Sequence, residues 1–169
     1  MDQFVRIQRY KFRKNQKFGK LGVDINVKGD DGKTALHLLC WNNSHENLLE
    51  IVKFLIERGS DINEKDNGGR TALHSLCYNN LHKNLLEIVK FLIERGIDIN
   101  AKNSYGETAL NVMCCKYLQE NLLEIIKFLI ERGIDTNAKD ECERNVLYYL
   151  CKNYSKADLL DIIKLIVLR

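Results

Sequence analysis

The 169-residue chain contains no proline, one tryptophan, two methionines and four histidines. Without proline, no helix start here receives the pre-set φ that proline supplies at a first helical position, so these turns are expected to open more easily. The basic beginning MDQFVRIQRYKFRKNQK has no apolar h-region, which argues against a secretory signal. Every apolar stretch meets Lys, Glu or Asp within a few residues, which argues against a membrane-spanning helix. An intracellular, reducing setting is therefore expected for the six cysteines. No close CxxC pairing points to structural zinc, and no GxxxxGK[ST] opens a phosphate-binding loop. No histidine is paired in sequence with an acid and a nucleophile in a catalytic pattern. Neither an enzyme nor a cofactor or metal site is expected.

What the chain does have is apolar content of 45%, arranged in patterned runs such as LLEIVKFLI, which excludes a disordered segment. Charge is uneven. Residues 1–20 carry seven Lys/Arg against one Asp, leaving 19 Lys/Arg against 22 Asp/Glu in the other 149 residues. A mildly acidic body behind a basic head argues against a broad nucleic-acid-binding face. The head itself interleaves Arg6, Arg9, Lys11, Arg13, Lys14, Lys17 and Lys20 with Phe4, Tyr10, Phe12 and Phe18. It reads as a solubilising arm or partial cap over 1–18. Binding of a polyanion or an anionic membrane surface is the alternative.

Internal repetition is the dominant signal. TALHLLC at 34–40 returns as TALHSLC at 71–77, TALNVMC at 108–114 and NVLYYLC at 145–151, an interval of 37 residues. Each unit runs through a turn ending at Gly32, Gly69 or Gly106, a short helix, an Asn-rich link, a second helix LLEIVKFLIERG and a strand-like DIN tail. Gly22, Gly59, Gly96 and Gly133 follow a helical Glu-Arg or its equivalent and read as left-handed helix stops. In the copy at 85–95, Leu85, Ile88, Val89, Leu92 and Ile93 recur at helical spacing. One such pair cannot bury this face alone; stacked copies bury it between them.

GKTALHLLC, GGRTALHSLC and GETALNVMCC, with EIVKFLIERG and the tails SDINEKD, IDINAKN and IDTNAKD, resemble the ankyrin-repeat family. The resemblance covers about residues 19–169: a partial unit to 26, then units of about 27–63, 64–100, 101–137 and 138–169. It implies an all-α repeat solenoid of helix-turn-helix units with short hairpin loops. It also implies that Cys40, Cys77, Cys114 and Cys151 fill a small inner-helix position as apolar groups, and that His37 and His74 tie neighbouring turns together. Ala35, Ala72 and Ala109 stand where the family has proline. Four extra residues per unit fall between the helices, in WNNSHEN, YNNLHKN and KYLQEN, and are expected to lengthen that link or the second helix. Asn145 replaces Thr and Glu143 replaces the turn Gly in the last unit.

The family binds proteins through inner helices and hairpin tips, so positions that vary between copies are the expected contact set. These are Leu38, Trp41, Asn43, Asp66, Asn67, Ser75, Tyr78, Asn80, Ser104, Tyr105, Val112, Tyr117, Tyr149 and Lys152. Trp41 and Tyr78 stand out independently, since aromatics outside a repeat framework anchor interfaces. The expected protein is a monomeric, non-catalytic interaction module of the cytoplasm or nucleocytoplasm. Its Asn/Lys/Ile usage resembles that of AT-rich microbes and large DNA viruses.

Overall fold

The computed structural model describes residues 22–42, 46–79, 84–115, 122–154 and 157–168. The basic head, most of the lengthened links and the candidate residues Asn43, Asn80 and Tyr117 lie outside these residues. Among the described residues there are eight α-helices in four pairs: α1 Ala35–Trp41 with α2 Leu48–Glu57, α3 Ala72–Tyr78 with α4 Leu85–Glu94, α5 Ala109–Cys114 with α6 Leu122–Glu131, and α7 Val146–Asn153 with α8 Leu159–Val167. The inner helices α1, α3, α5 and α7 stack in chain order.

The short inner helices begin at Thr34, Thr71, Thr108 and Asn145, each with an extended backbone. Histidine takes the usual Glu place of a capping box in the first two. The Thr34 amide donates to His37 Nδ1 at 3.3 Å, and the Thr71 amide donates to His74 Nδ1 at 3.2 Å. The first three of the longer second helices stop in the same way, whereas α8 ends at Leu168 without a glycine. Gly59, Gly96 and Gly133 lie at φ 94°, 87° and 85°. In the first, the Gly59 amide donates to Ile56 O and the Ser60 amide to Leu55 O, both at 3.0 Å. This pairing satisfies carbonyls that the helix end would otherwise orphan.

Leu85, Ile88, Val89 and Leu92 of α4 are buried, as are their counterparts Leu122, Ile125, Ile126 and Leu129 of α6. Each such side chain contributes about 1.5–3 kcal/mol when fully removed from water. Ile93 is only half-buried. The Arg residues that close these helices fold back onto phenyl rings one turn earlier: Arg58 on Phe54, Arg95 on Phe91 and Arg132 on Phe128, at 4.6–4.8 Å from the ring centroids.

The DIN tails are not strands. Asp24, Asp61, Asp98 and Asp135 each accept the amide of the Asn two residues on, closing a side-chain turn. In the first three of these, the Asn then reaches across to the next unit. Asn26 Nδ2 donates to Gly59 O at 2.9 Å while its Oδ1 accepts the Asp61 amide at 2.8 Å, and Asn63 and Asn100 repeat the pattern one and two units later. The sole β-bridge among the described residues joins Lys102 and Thr108.

The cysteine row is buried in three units out of four. Cys40, Cys77 and Cys114 have at most 2% exposure, and burial pushes the Cys40 thiol up to about 12. Cys151 departs from the expectation: it is exposed, because no further unit covers its face of α7 among the described residues. Cys142 is also exposed and Cys115 is half-buried. In the folded protein, a thiol-specific dye is expected to label Cys142 and Cys151 rapidly and to reach Cys40, Cys77 and Cys114 only on unfolding; peptide mapping of the labelled chain checks this.

Candidate interaction surface

Four of the expected contact residues are buried, and the stacking explains each. Ser75, Val112 and Tyr149 lie one turn after Ala72, Ala109 and Val146, and all six are within 7% exposure. That helix face is turned to the preceding unit. In the first unit, where no described layer precedes it, the same face leaves Ala35 exposed and Leu38 at 53% exposure. Copy-to-copy variation at this position therefore reflects how adjacent layers fit. Tyr149 also carries a polar duty: its hydroxyl donates to Asp140 Oδ2 at 2.5 Å and lies 3.3 Å from Glu107 Oε1. Burial opposes ionisation of Asp140, yet the Tyr149 hydroxyl and Arg144 hold its carboxyl down at about 2.

Asp66 is the fourth buried residue. Its Oδ1 accepts the Gly68 and Arg70 amides, both at 2.9 Å, and its Oδ2 accepts Arg70 Nε at 2.9 Å. It shapes the hairpin from inside, as Asn103 and Asp140 do in the following units. Asn67 is exposed, but its Nδ2 donates to Asp30 O of the preceding hairpin. Ser104 and Tyr105 are exposed at the third tip, with Tyr105 69% exposed, while their backbones bond the neighbouring hairpins.

Trp41 and Tyr78 come together. They end α1 and α3, and their rings stack with centroids 4.5 Å apart and planes 15° apart. Asn79 Nδ2 donates to Trp41 O at 2.6 Å, which fixes the two helix ends relative to each other. Lys33 Nζ lies 5.3 Å from the Trp41 ring centroid and the Arg70 guanidinium 5.9 Å. Tyr78 remains 40% exposed and Trp41 half-buried. Two stacked aromatic rings thus lie together at a partly open edge. Further along the same row the residues are Cys115, half-buried, and Lys152, exposed with its ammonium 5.6 Å from the Tyr148 ring.

Lys33, Arg70 and Asn79 were not among the expected contact residues. Lys33 and Arg70 occupy one repeat position, 37 residues apart, immediately before the TALH turn. A basic residue at that position in the two units carrying Trp41 and Tyr78 was the available signal.

Behind this edge the histidines perform the tying role implied by the resemblance. His37 Nε2 donates to Arg70 O at 2.9 Å, and His74 Nε2 to Glu107 O at 3.1 Å. With Nδ1 accepting an amide and Nε2 donating, each imidazole is neutral, and burial lowers its pKa. Asn111 keeps the local half of the arrangement, accepting from Thr108 Oγ1, but its buried Nδ2 has no protein partner. Among the described residues no group of three or more His, Cys, Asp or Glu is placed to hold a metal ion, and no helix is long and apolar enough to cross a membrane.

The family model described as ankyrin repeats (3 copies) matches the chain over residues 15–103, 44–140 and 80–167. A search of the curated proteins finds no match.

Proposed function

The chain belongs to the ankyrin-repeat family, and on that premise we propose that it is a non-catalytic module that binds a partner protein through the open edge of its inner helices and its hairpin tips. The observation that carries this reading is the Trp41–Tyr78 stack. Rigid, half-open aromatics offer large contact area at little entropic cost, which is what interface anchors require. Exposed Asn67, Ser104, Tyr105 and Lys152 extend the surface toward the tips and the last unit, and Leu38 extends it toward the first. Asn43, Asn80 and Tyr117 belong to the same proposed surface by repeat position. The module acts as a monomer in the cytoplasm or nucleocytoplasm. The residue usage supports a microbial or viral source whose partner is a host protein.

The test is affinity capture from a host-type cytosolic extract with three baits: the full chain, a W41A/Y78A variant and a chain lacking residues 1–18, each first shown to be folded. The proposal expects capture to drop at least about 30-fold for the aromatic variant, on the order of 2 kcal/mol, the size of an interface hot spot. Truncation of the head is expected to leave it unchanged. Loss only on truncation, with steep weakening as salt rises, would move the function to the basic head.

A further inference from the structure

We propose that Glu143 closes the hairpin stack at the fourth unit, so that the first hairpin of a second copy does not add to it in the repeat's own register. The argument begins with how consecutive hairpins touch. The Asn67 amide donates to Asp31 O at 3.0 Å, the Ser104 amide to Gly68 O at 2.9 Å and the Glu141 amide to Tyr105 O at 3.0 Å. Each contact sits directly beside a turn glycine with positive φ, Gly32, Gly69 or Gly106.

These glycines are required by space as well as by conformation. A Cβ on Gly69 would lie 2.9 Å from Ser104 N and 3.2 Å from Asn103 C. One on Gly106 would lie 2.9 Å from Glu141 N and 3.1 Å from Asp140 C. One on Gly32 would strike Asn67 at its backbone nitrogen and side-chain oxygen. The atoms in the way are mostly backbone, so the next hairpin must withdraw if the glycine is lost.

The equivalent position in the fourth unit is Glu143, the only non-glycine residue with positive φ among those described, at φ 61°. It therefore holds the glycine conformation while carrying a Cβ and a carboxylate into the space that the next hairpin would need. Lys28, Lys65 and Lys102 each donate to a carbonyl of the next unit, at Lys65, Lys102 and Lys139, over 2.8–3.0 Å, a second tie between hairpins. The Glu143 carboxylate accepts the corresponding ammonium of Lys139 at 2.8 Å. Because a repeat array's two ends are complementary by construction, head-to-tail addition of copies would otherwise propagate without closure.

The test adds a unit in register. Residues 133–169 are appended a second time after Arg169, which takes the place of Arg132 in the repeat. In this chain, exchange of the second-copy Glu141 amide is expected to be fast, while the first-copy Glu141 amide stays protected by Tyr105 O. Changing the first-copy Glu143→Gly is expected to slow the second-copy amide by on the order of tenfold or more. In the natural chain, Gly106→Glu is expected to speed exchange at Glu141 by a similar factor. Protection of the second-copy amide with Glu143 in place would overturn the proposal. So would absence of protection after Glu143→Gly, or a Gly106→Glu chain that keeps Glu141 protected.

Discussion

Replacing Gly69 by Ala is expected to destabilise the protein by about 3 kcal/mol or more, against about 1–2 kcal/mol for Gly59→Ala. The two glycines share a left-handed backbone, φ 70° and 94°, so the conformational cost of adding a Cβ is similar. Their surroundings differ. Nothing lies within 4 Å of a Cβ on Gly59, whereas one on Gly69 meets the Asn103–Ser104 backbone. The difference between the variants thus isolates the close approach of two hairpins from the intrinsic cost of positive φ. Chemical denaturation of both chains measures it. Equal destabilisation would show that the hairpins are free to separate without loss.

The second large effect is expected at His74. His74→Ala removes the acceptor of the Thr71 amide and one of the two donors to Glu107 O, leaving the buried Thr71 amide unsatisfied beside a cavity while Glu107 O keeps the Asn103 amide. A loss of about 2–4 kcal/mol is expected, since a buried unsatisfied group costs about 1–3 kcal/mol and the cavity adds to it. His74→Asn copies what the third unit does at Asn111 and should restore the local half, losing the tie to the next turn. The pH dependence has a definite sign. Both buried imidazoles have lowered pKa values in the folded chain, so the unfolded chain binds more protons as pH falls through the ordinary histidine value. The stability they contribute is fully present above about pH 6.5 and is lost as pH falls toward the folded values. The His37→Asn/His74→Asn chain should show a flatter stability profile over this range in denaturant titrations at successive pH values.

The frame of this fold was legible because its causes are local and recur. Thr followed three residues later by His or Asn marks the first three inner helices, and Gly after the second helix marks the first three stops. The roles of His37 and His74 followed from the resemblance and hold in the structure. What was not legible depends on which layer covers which face. Ser75, Val112 and Tyr149 vary between copies like an exposed position, yet each is covered by the preceding unit. Cys151 carries the same residue as Cys40 but is exposed because its layer is last among those described. The DIN tails suggested strand, whereas Asp closes a turn and Asn spans to the next unit, a role visible only once residues 33 and 35 positions apart are neighbours. Glu143 was evident as a departure, but its consequence required the distance between hairpins.

For the interaction surface, two aromatics 37 residues apart could be singled out from the sequence, but not that their rings stack or that Lys33 and Arg70 flank one of them. Asp66 resembled a fingertip contact because the hairpin is polar throughout; its carboxylate is instead consumed by the turn and by Arg70.

The most direct measurement is hydrogen exchange on the full chain alone and in complex with the captured partner. The account predicts slower exchange on binding at the ends of the inner helices around Trp41 and Tyr78 and at the hairpin around Tyr105, with residues 1–18 unchanged. Protection confined to residues 1–18, with the Trp41–Tyr78 edge exchanging as in the free chain, would contradict it.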